Sequence, residues 1–190
     1  MPMWNDKSEI VDNLLDIAIA SSLTLTALMA PNALQIFDKP LQKYYKSIDA
    51  QKREKELRQI LRYMQRTGLV TGSYEHGLEA TDKARKRLEK RNIDALTITM
   101  PKRWDRKWRI IFYDIPEAKK SARDALAFRL RVLGCQQLQR SVWVHPYPCE
   151  DEITTIAIYC GVEQYATFLE VAYINNQSAL LERFKHLKVS

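Results

Sequence analysis

The stretch WRIIFYDIPE, residues Trp108–Glu117, decides how the second half of the chain is interpreted. Its first six residues are mostly β-branched or aromatic, which predicts a β-strand from Trp108 to Tyr113. Asp114 follows the strand, and Pro116 ends the pattern. An acid in this place has two interpretations. It can bind a metal ion at a nuclease centre, or it can form the turn by accepting backbone N–H bonds.

Downstream of this strand the pattern alternates between helix and strand. A helix is predicted from Glu117 to Leu133, with Gly134 as its stop. The further predicted elements are strands at 137–144, 153–159 and about 171–175, a helix at about 163–169, and a helical tail at 179–187. The order βαββαβ predicts a ferredoxin-like domain over residues 108–190. One such sheet leaves a face and edges open, which favours a homodimer.

Upstream, the stretch KREKELRQILRYMQRTG, Lys52–Gly68, predicts an amphipathic helix. Its apolar residues follow the spacing i, i+3, i+4, i+7 and form one stripe: Leu57, Ile60, Leu61 and Met64. The opposite face is almost purely basic, whereas a solvated helix face more often mixes both signs. The acids Glu54 and Glu56 are placed in the first turn. The basic face holds Lys55, Arg58, Arg62 and Arg66, with Lys52 at its start.

The next stretch, LVTGSYEHGLEATDKARKRLEK, predicts a β-hairpin followed by a second basic helix. The strands are placed at 69–71 and 78–80, and Thr81 caps the helix. Further helices are predicted at 8–21, 23–30 and 32–47. The order predicts an α+β protein with an N-terminal winged helix-turn-helix domain over residues 1–93 and a linker at 94–107. The basic residues of the second helix are Lys83, Arg85, Lys86 and Arg87.

The positive charge of the chain is concentrated in its middle. The net charge is +7; residues 1–50 hold 4 basic and 6 acidic residues, residues 51–107 hold 16 and 8, and residues 108–190 hold 10 and 9. Clustered Lys and Arg indicate a polyanionic partner, because each phosphate contact releases condensed counterions. Double-stranded DNA is therefore the expected partner. Lys52, Lys55, Arg58, Arg62 and Arg66 are expected to contact phosphates and bases, and Lys83, Arg85, Lys86 and Arg87 the DNA backbone.

Composition excludes several other classes of protein. Three cysteines in 190 residues, without CxxC spacing, favour neither a disulfide framework nor a zinc site, and a cytoplasmic location is expected. The apolar stretch Leu14–Ala30 contains Asp16 and is shorter than the roughly 20 apolar residues that a membrane span needs. It predicts buried helices, so no membrane partner is expected.

Several single residues that could take part in chemistry are expected to be structural instead. Cys135 and Cys160 are expected in the core, and Trp104, Trp108 and Trp143 are expected to pack against apolar neighbours. His145 is interpreted as a turn or interface residue.

Three short motifs resemble known families when taken in order. YDIP, then ARDALAFRLRVLG, then QLQRSVWVHP resemble the core of the second CRISPR-associated protein, the small dimeric protein of spacer acquisition, over residues 108–175. The same core preceded by a winged helix is similar to PaaX, the repressor family of phenylacetate degradation. That second resemblance covers the architecture of nearly the whole chain. It implies a DNA-binding transcriptional regulator, repressor-like, that acts as a homodimer.

The CRISPR resemblance leaves two alternatives open. In that family the acid that ends the first strand is the proposed metal ligand, so Asp114 would be both catalytic residue and Mg²⁺ ligand in a metal-dependent endonuclease. Alternatively the chain is an adaptation scaffold that grips DNA without cutting it. The sequence offers Glu117 and Asp124 as further acids, but neither has diagnostic spacing. We therefore expect a regulator rather than an enzyme, with Mg²⁺ required only for the nuclease alternative.

Overall fold

The computed structural model describes residues 5–21, 49–73 and 76–187. It separates into two units, Met1–Asn92 and Ile93–Ser190. Helices and antiparallel sheets occur together, so the predicted α+β class is confirmed. The helices expected at 23–30 and 32–47 lie outside the described residues. No helix within the described ranges is long and apolar enough to cross a bilayer.

The first unit is built on the predicted amphipathic helix. Its elements are α1 (Asn5–Ser21), α2 (Ala50–Arg66), β1 (Val70–Ser73), β2 (Gly77–Ala80) and α3 (Asp82–Asp94). The whole predicted stripe of α2 is buried: Leu57, Ile60, Leu61 and Met64. It packs in one core with Leu14 and Leu15 of α1 and Leu78 of β2. Burial of this stripe turns the opposite, basic face of α2 outward.

The β1–β2 hairpin is fixed to the helices on both sides of it. Gly72 has φ +98°, and a Cβ there would lie 2.2 Å from the carbonyl oxygen of Gly77, so only glycine fits. Gln65 Nε2 of α2 donates to the Gly72 carbonyl at 3.1 Å. Thr81 Oγ1 donates to the Gly68 carbonyl at 2.8 Å and accepts from the Ala84 N–H at 3.4 Å. The predicted role of Thr81 as a helix cap is therefore confirmed.

The second unit contains a four-stranded antiparallel sheet in the order β4-β5-β3-β6. The predicted strand Trp108–Tyr113 is confirmed as β3, one of its two central strands. The elements are β3 (Trp108–Tyr113), α4 (Lys120–Val132), β4 (Gln136–Gln139), β5 (Val142–His145), α5 (Glu150–Tyr159), β6 (Ala166–Val171) and α6 (Gln177–Arg183). Their order along the chain, apart from α6, is βαββαβ.

That order arises from different residues than the sequence pattern suggested. The strand expected at 153–159 is wrong, because this segment belongs to helix α5. Its β-branched residues favour a strand, but Ile153, Ile156 and Ala157 are the buried ones, which is helical spacing. Three acids at 150–152 occupy the first turn of the helix, where the helix dipole favours negative charge.

Two further element predictions are also corrected. The expected single strand at 137–144 turns at Arg140–Ser141 and forms the hairpin β4–β5. The helix expected at 163–169 is wrong, because only residues 163–165 form a helical turn, a 3₁₀ helix. Strand β6 follows at once and ends at Val171, where the last strand was expected to begin.

Both faces of the sheet carry apolar clusters. One cluster joins Ile111 and Trp143 of the sheet to Leu126 and Leu130 of α4 and to α5. The other joins Trp108 and Val144 to Leu180 and Phe184 of the α6 region. The segment predicted as a linker contributes to these clusters: Leu96 and Ile98 pack against the first and Trp104 against the second. Residues 94–107 thus take part in the packing of the second unit.

Candidate nucleic-acid interface

Helix α2 begins with a side-chain cap that the sequence analysis did not identify. Asp49 Oδ1 accepts hydrogen bonds from the N–H groups of Gln51, at 2.8 Å, and Lys52, at 3.4 Å. Such a cap satisfies backbone donors that have no partner within the helix. The helix therefore starts at Ala50, two residues earlier than predicted, and its outer face is correspondingly longer.

The outer face of α2 presents a row of exposed cations. Lys52, Lys55, Arg58, Arg62 and Arg66 are all exposed, as predicted from their position opposite the buried stripe. A surface depression of about 290 Å³ lies along the helix and is lined by Lys55, Arg58, Arg62 and their neighbours. Among the residues that the structure describes, Glu54 is the one acid in its lining, against three cations. Because exposed guanidinium and ammonium groups attract phosphate, this face is chemically suited to a nucleic-acid backbone.

One member of this face is engaged within the helix. Arg58 Nη2 lies 2.8 Å from Glu54 Oε1. The expectation that Glu54 lies in the first turn is wrong, because the helix begins at Ala50 and Glu54 is one turn from Arg58. An exposed i, i+4 pair of this kind contributes only a few tenths of a kcal/mol. Arg58 can therefore exchange its partner for a phosphate at small cost.

Helix α3 directs part of its charge into the first unit. Arg87 Nε lies 2.6 Å from Asp12 Oδ1, and the Arg87 guanidinium also donates to Ser8 Oγ at 2.9 Å. One turn along, Arg91 lies 2.7 Å from Asp16. The Asp12 side chain is only 13% exposed, so this charge pair holds α3 against α1 at the edge of the core. Arg87, which was predicted to contact DNA, is therefore bound to side chains of α1 instead.

The other basic residues of α3 divide in the same way. Lys83 Nζ donates to the Thr67 carbonyl at 2.7 Å, which satisfies a backbone acceptor at the end of α2. Arg85 and Lys86 are exposed. Lys83 is exposed as well, but its ammonium group is bound to the Thr67 carbonyl, so Arg85 and Lys86 are the better candidates for phosphate contacts among the four predicted on this helix.

The second unit buries one arginine in a network of carboxylates. The Arg109 side chain is 4% exposed and forms ion pairs with Asp105 and with Glu170, whose carboxylate lies 2.9 Å away. It also donates to the carbonyls of Lys107 and Pro146 at 3.0 and 3.1 Å. The hydrogen bond from Arg109 lowers the pKa of Asp105, and the hydrogen bond from Lys107 lowers that of Glu170. The sequence analysis did not predict this network; the lone Arg inside an apolar strand was the signal for it, because buried arginines need partners.

Asp114 lies where the sequence placed it, at the end of β3. Its side chain is exposed, and its backbone N–H donates to the Tyr165 carbonyl at 3.0 Å. The second acid that the sequence offered, Glu117, is bound by Arg123 at 2.9 Å, which lowers the pKa of Glu117. Within the described ranges, no three His, Cys, Asp or Glu side chains are grouped as metal ligands. One exposed carboxylate is a poor donor set for Mg²⁺.

The remaining candidate residues pack inside the second unit. His145 is 2% exposed, and its Nδ1 lies 3.1 Å from the Tyr147 N–H. Burial lowers the pKa of His145 to about 4. Trp108 and Trp143 are buried, as expected of packing residues. Cys135 is buried and Cys160 is half-buried against the same core, and burial raises the pKa of both thiols.

Comparison with known proteins identifies one part of the chain. Residues 101–180 match the family model described as the PaaX protein central Cas2-like domain. The match covers all six strands and helices from β3 to β6 and reaches into α6. No curated protein and no solved structure gives a significant match to this chain.

Proposed function

Residues 101–180 are a PaaX-type central Cas2-like domain, and from this premise we propose that the protein is a DNA-binding regulator of transcription that acts as a homodimer. The resemblance drawn from YDIP and its neighbouring motifs is confirmed for this domain. A PaaX-type domain indicates, at the coarsest level, a transcriptional regulator. Binding of duplex DNA, repression and dimerisation are the finer parts of the proposal.

The exposed cationic face of α2 is the observation that carries the proposal. The order helix α2, hairpin β1–β2, helix α3 supports a winged helix-turn-helix arrangement, in which the helix before the hairpin enters the major groove. Lys52, Lys55, Arg58, Arg62 and Arg66 then contact phosphates and base edges. Arg85 and Lys86 of α3 contact the backbone. Arg87 and Lys83 hold the domain together instead.

The sheet of the second unit supports a ferredoxin-like domain that dimerises. Its order β4-β5-β3-β6, antiparallel throughout, agrees with the arrangement proposed for a βαββαβ chain. Phe112 and Leu169 lie on the same face as Ile110, because Leu169 is paired directly with Ile110 and Phe112 is two residues further along β3. Phe112 is 37% and Leu169 46% exposed, so this end of the face is open to a second copy.

DNA binding is tested by removing two cations from α2. The double variant Arg62→Ala, Arg66→Ala should keep its fold, because both side chains lie opposite the buried stripe. Its affinity for a mixed-sequence duplex should fall, and the slope of log K against log salt should decrease by about two units, one for each lost phosphate contact. The matched control is Lys120→Ala, Arg183→Ala, which removes two exposed cations elsewhere. Equal affinity and slope in both double variants would refute the proposed role of α2.

Dimerisation is tested separately on the full chain. Phe112→Glu, Leu169→Glu places two like charges on the open end of the sheet, and we expect light scattering to change from the mass of two chains to that of one. Phe128→Glu on the outer side of α4 is the control, since Phe128 is 56% exposed and is not on the sheet. A wild-type protein that is monomeric at micromolar concentration would contradict the proposed dimer without bearing on DNA binding.

A further inference from the structure

The turn before strand β3 contains an arginine in an unusual backbone conformation. Arg106 has φ +62°, and within the described residues no other residue except glycine has a positive φ. This left-handed region is unfavourable for a long side chain, since Cβ approaches the carbonyl oxygen; Gly, Asn and Asp adopt it more readily. Because strained residues concentrate at functional sites, an exposed Arg in this position calls for a reason beyond folding.

The conformation of Arg106 is held by the residues on both sides of it. Trp104 Nε1 donates to the Pro146 carbonyl at 2.8 Å and to the Lys107 carbonyl at 3.1 Å. Asp105 Oδ1 accepts from the Lys107 N–H at 3.0 Å. The buried Arg109 binds the Asp105 carboxylate and the same Lys107 carbonyl. These contacts fix both flanks of the turn and leave the Arg106 side chain exposed on a rigid base.

The charge around this turn is not balanced. Asp105 and Glu170, the two acids of the network, are paired with Arg109 and Lys107. The remaining cations, Lys102, Arg103 and Arg106, are exposed and form no ion pair with any residue that the structure describes. The two acids are thus neutralised by two cations, and the segment 102–106 retains three exposed positive charges without an acidic partner among the described residues. Such a group is electrostatically complementary to a polyanion.

We propose that residues 102–106 form a second phosphate-binding site, located on the second unit, that contacts the backbone of duplex DNA, with Arg106 as its central contact. This inference rests on the proposed DNA-binding function. A guanidinium matches the geometry of a phosphate and forms two parallel hydrogen bonds with it. A rigid turn also reduces the entropy that is lost when the side chain binds. The site adds backbone affinity without sequence preference.

The experiment compares three full-length proteins on one mixed-sequence duplex over a range of salt concentrations. They are the wild type, the α2 variant Arg62→Ala, Arg66→Ala, and Arg106→Gly. Glycine removes the cation and adopts φ +62° without strain, so Arg106→Gly should unfold at a temperature no lower than the wild type. It should bind DNA roughly three- to tenfold more weakly at low salt, with a salt slope smaller by about one unit.

Two further variants separate charge from backbone conformation. Arg106→Lys retains a cation at the same backbone position and should keep the wild-type salt slope, but it should bind more weakly than the wild type, because an ammonium group cannot form the two parallel hydrogen bonds of a guanidinium. Arg183→Ala removes an exposed cation elsewhere in the second unit and should not change the slope. A slope reduced equally by Arg106→Gly and Arg183→Ala would refute the site, because net charge alone would explain it.

The outcomes distinguish this inference from the function on which it rests. If the wild type shows no salt-dependent affinity for duplex DNA, the proposed DNA-binding function fails. If the wild type binds and the α2 variant is weakened, but Arg106→Gly keeps the wild-type affinity and slope, the second site alone is refuted.

Discussion

Helices α2 and α3 each carry six Lys and Arg residues, yet the structure uses the two sets differently. On α2 the cations of the outer face, such as Arg62, are exposed opposite a buried apolar stripe. On α3, Arg87 and Arg91 turn toward α1 and pair with Asp12 and Asp16. Two segments of similar charge therefore differ in purpose: one presents charge to solvent, and the other uses part of it to hold the first unit together.

The difference depends on acids that lie far away in the sequence. Asp12 and Asp16 are spaced i, i+4 on helix α1, and Arg87 and Arg91 have the same spacing on α3. Each pair is separated by 75 positions. Counting charges within one segment cannot detect such a match. Asp12, with a side chain only 13% exposed, needs a partner of the opposite sign, whereas the Asp16 side chain is 44% exposed and gains less from its ion pair. We therefore expect substitutions of buried basic residues to change mainly the stability of the fold, and substitutions of exposed basic residues to change mainly the affinity for DNA.

The largest expected effect on stability comes from His145, a basic side chain buried more deeply than any cation of α2 or α3. Burial lowers its pKa from the ordinary value of 6.5 to about 4; the hydrogen bond with the Tyr147 backbone opposes this shift, and Arg109 and His186 add to it. Between these values the unfolded chain binds a proton that the folded chain does not, so stability falls as the pH falls from about 6.5 to about 4. The loss should reach roughly 3 kcal/mol, with no further loss from His145 at lower pH.

Urea unfolding as a function of pH measures this effect. The variant His145→Gln, which cannot titrate, should show a much smaller change across the same pH window. The exposed His76 serves as the control, and His76→Gln should retain the wild-type pH dependence. If His145→Gln loses as much stability between pH 6.5 and 4 as the wild type does, the pH dependence has another origin.

Arg87→Ala should give the next largest effect, because it leaves the Asp12 carboxylate at the edge of the core without its partner. Loss of one member of a buried pair costs about 3–5 kcal/mol. Since the Arg87 side chain is 30% exposed, we expect about 2 kcal/mol, measured by urea unfolding. The neighbouring exposed residue provides the control, and Arg85→Ala should change stability by less than about 0.5 kcal/mol. Equal stability of the two variants would show that the Arg87–Asp12 pair does not hold α3 against α1.

The sequence predicted those parts of the fold in which one periodicity was dominant. The α2 stripe, with Leu61 and Met64, and strand β3 are examples, since local pattern and tertiary burial agree there. The strand predicted at residues 153–159 was wrong. The β-branched side chains there favour a strand, but the acids of the first turn and the helical spacing of the buried residues stabilise a helix instead. The basic face of the candidate site was predictable from helix geometry. The partners of Arg87 were not predictable, because Asp12 lies 75 positions away, and the turn at Arg106 depends in part on the contact between Trp104 and Pro146, which are 42 positions apart.

A smaller effect is expected within α2 itself, and it is measured on DNA rather than on stability. Arg62→Ala and Arg58→Ala should each reduce the salt slope of duplex binding by about one unit. Because Arg58 must first leave Glu54, Glu54→Gln should strengthen binding slightly, through a stronger contribution from Arg58. In the Arg58→Ala background the same Glu54→Gln change should have a smaller effect. A double-mutant cycle on these two positions measures that difference, and strictly additive effects would show that the ion pair does not compete with DNA.

Asp114→Asn should have the smallest effect, because the residue is exposed and its structural contact is a backbone N–H, donated to the Tyr165 carbonyl. Asparagine keeps that N–H and the size of the side chain, so stability should change by about 1 kcal/mol or less, and duplex binding should not change.

The nuclease alternative predicts a different result for the same variant. A carboxylate that holds Mg²⁺ cannot be replaced by an amide without loss of turnover. Labelled RNA, single-stranded DNA and duplex DNA, incubated with both proteins over a series of Mg²⁺ and Mn²⁺ concentrations, distinguish the two. Metal-dependent cleavage by the wild type that Asp114→Asn lacks would assign this chain to the nucleases, whereas absence of cleavage by both proteins supports a domain that binds DNA without cutting it.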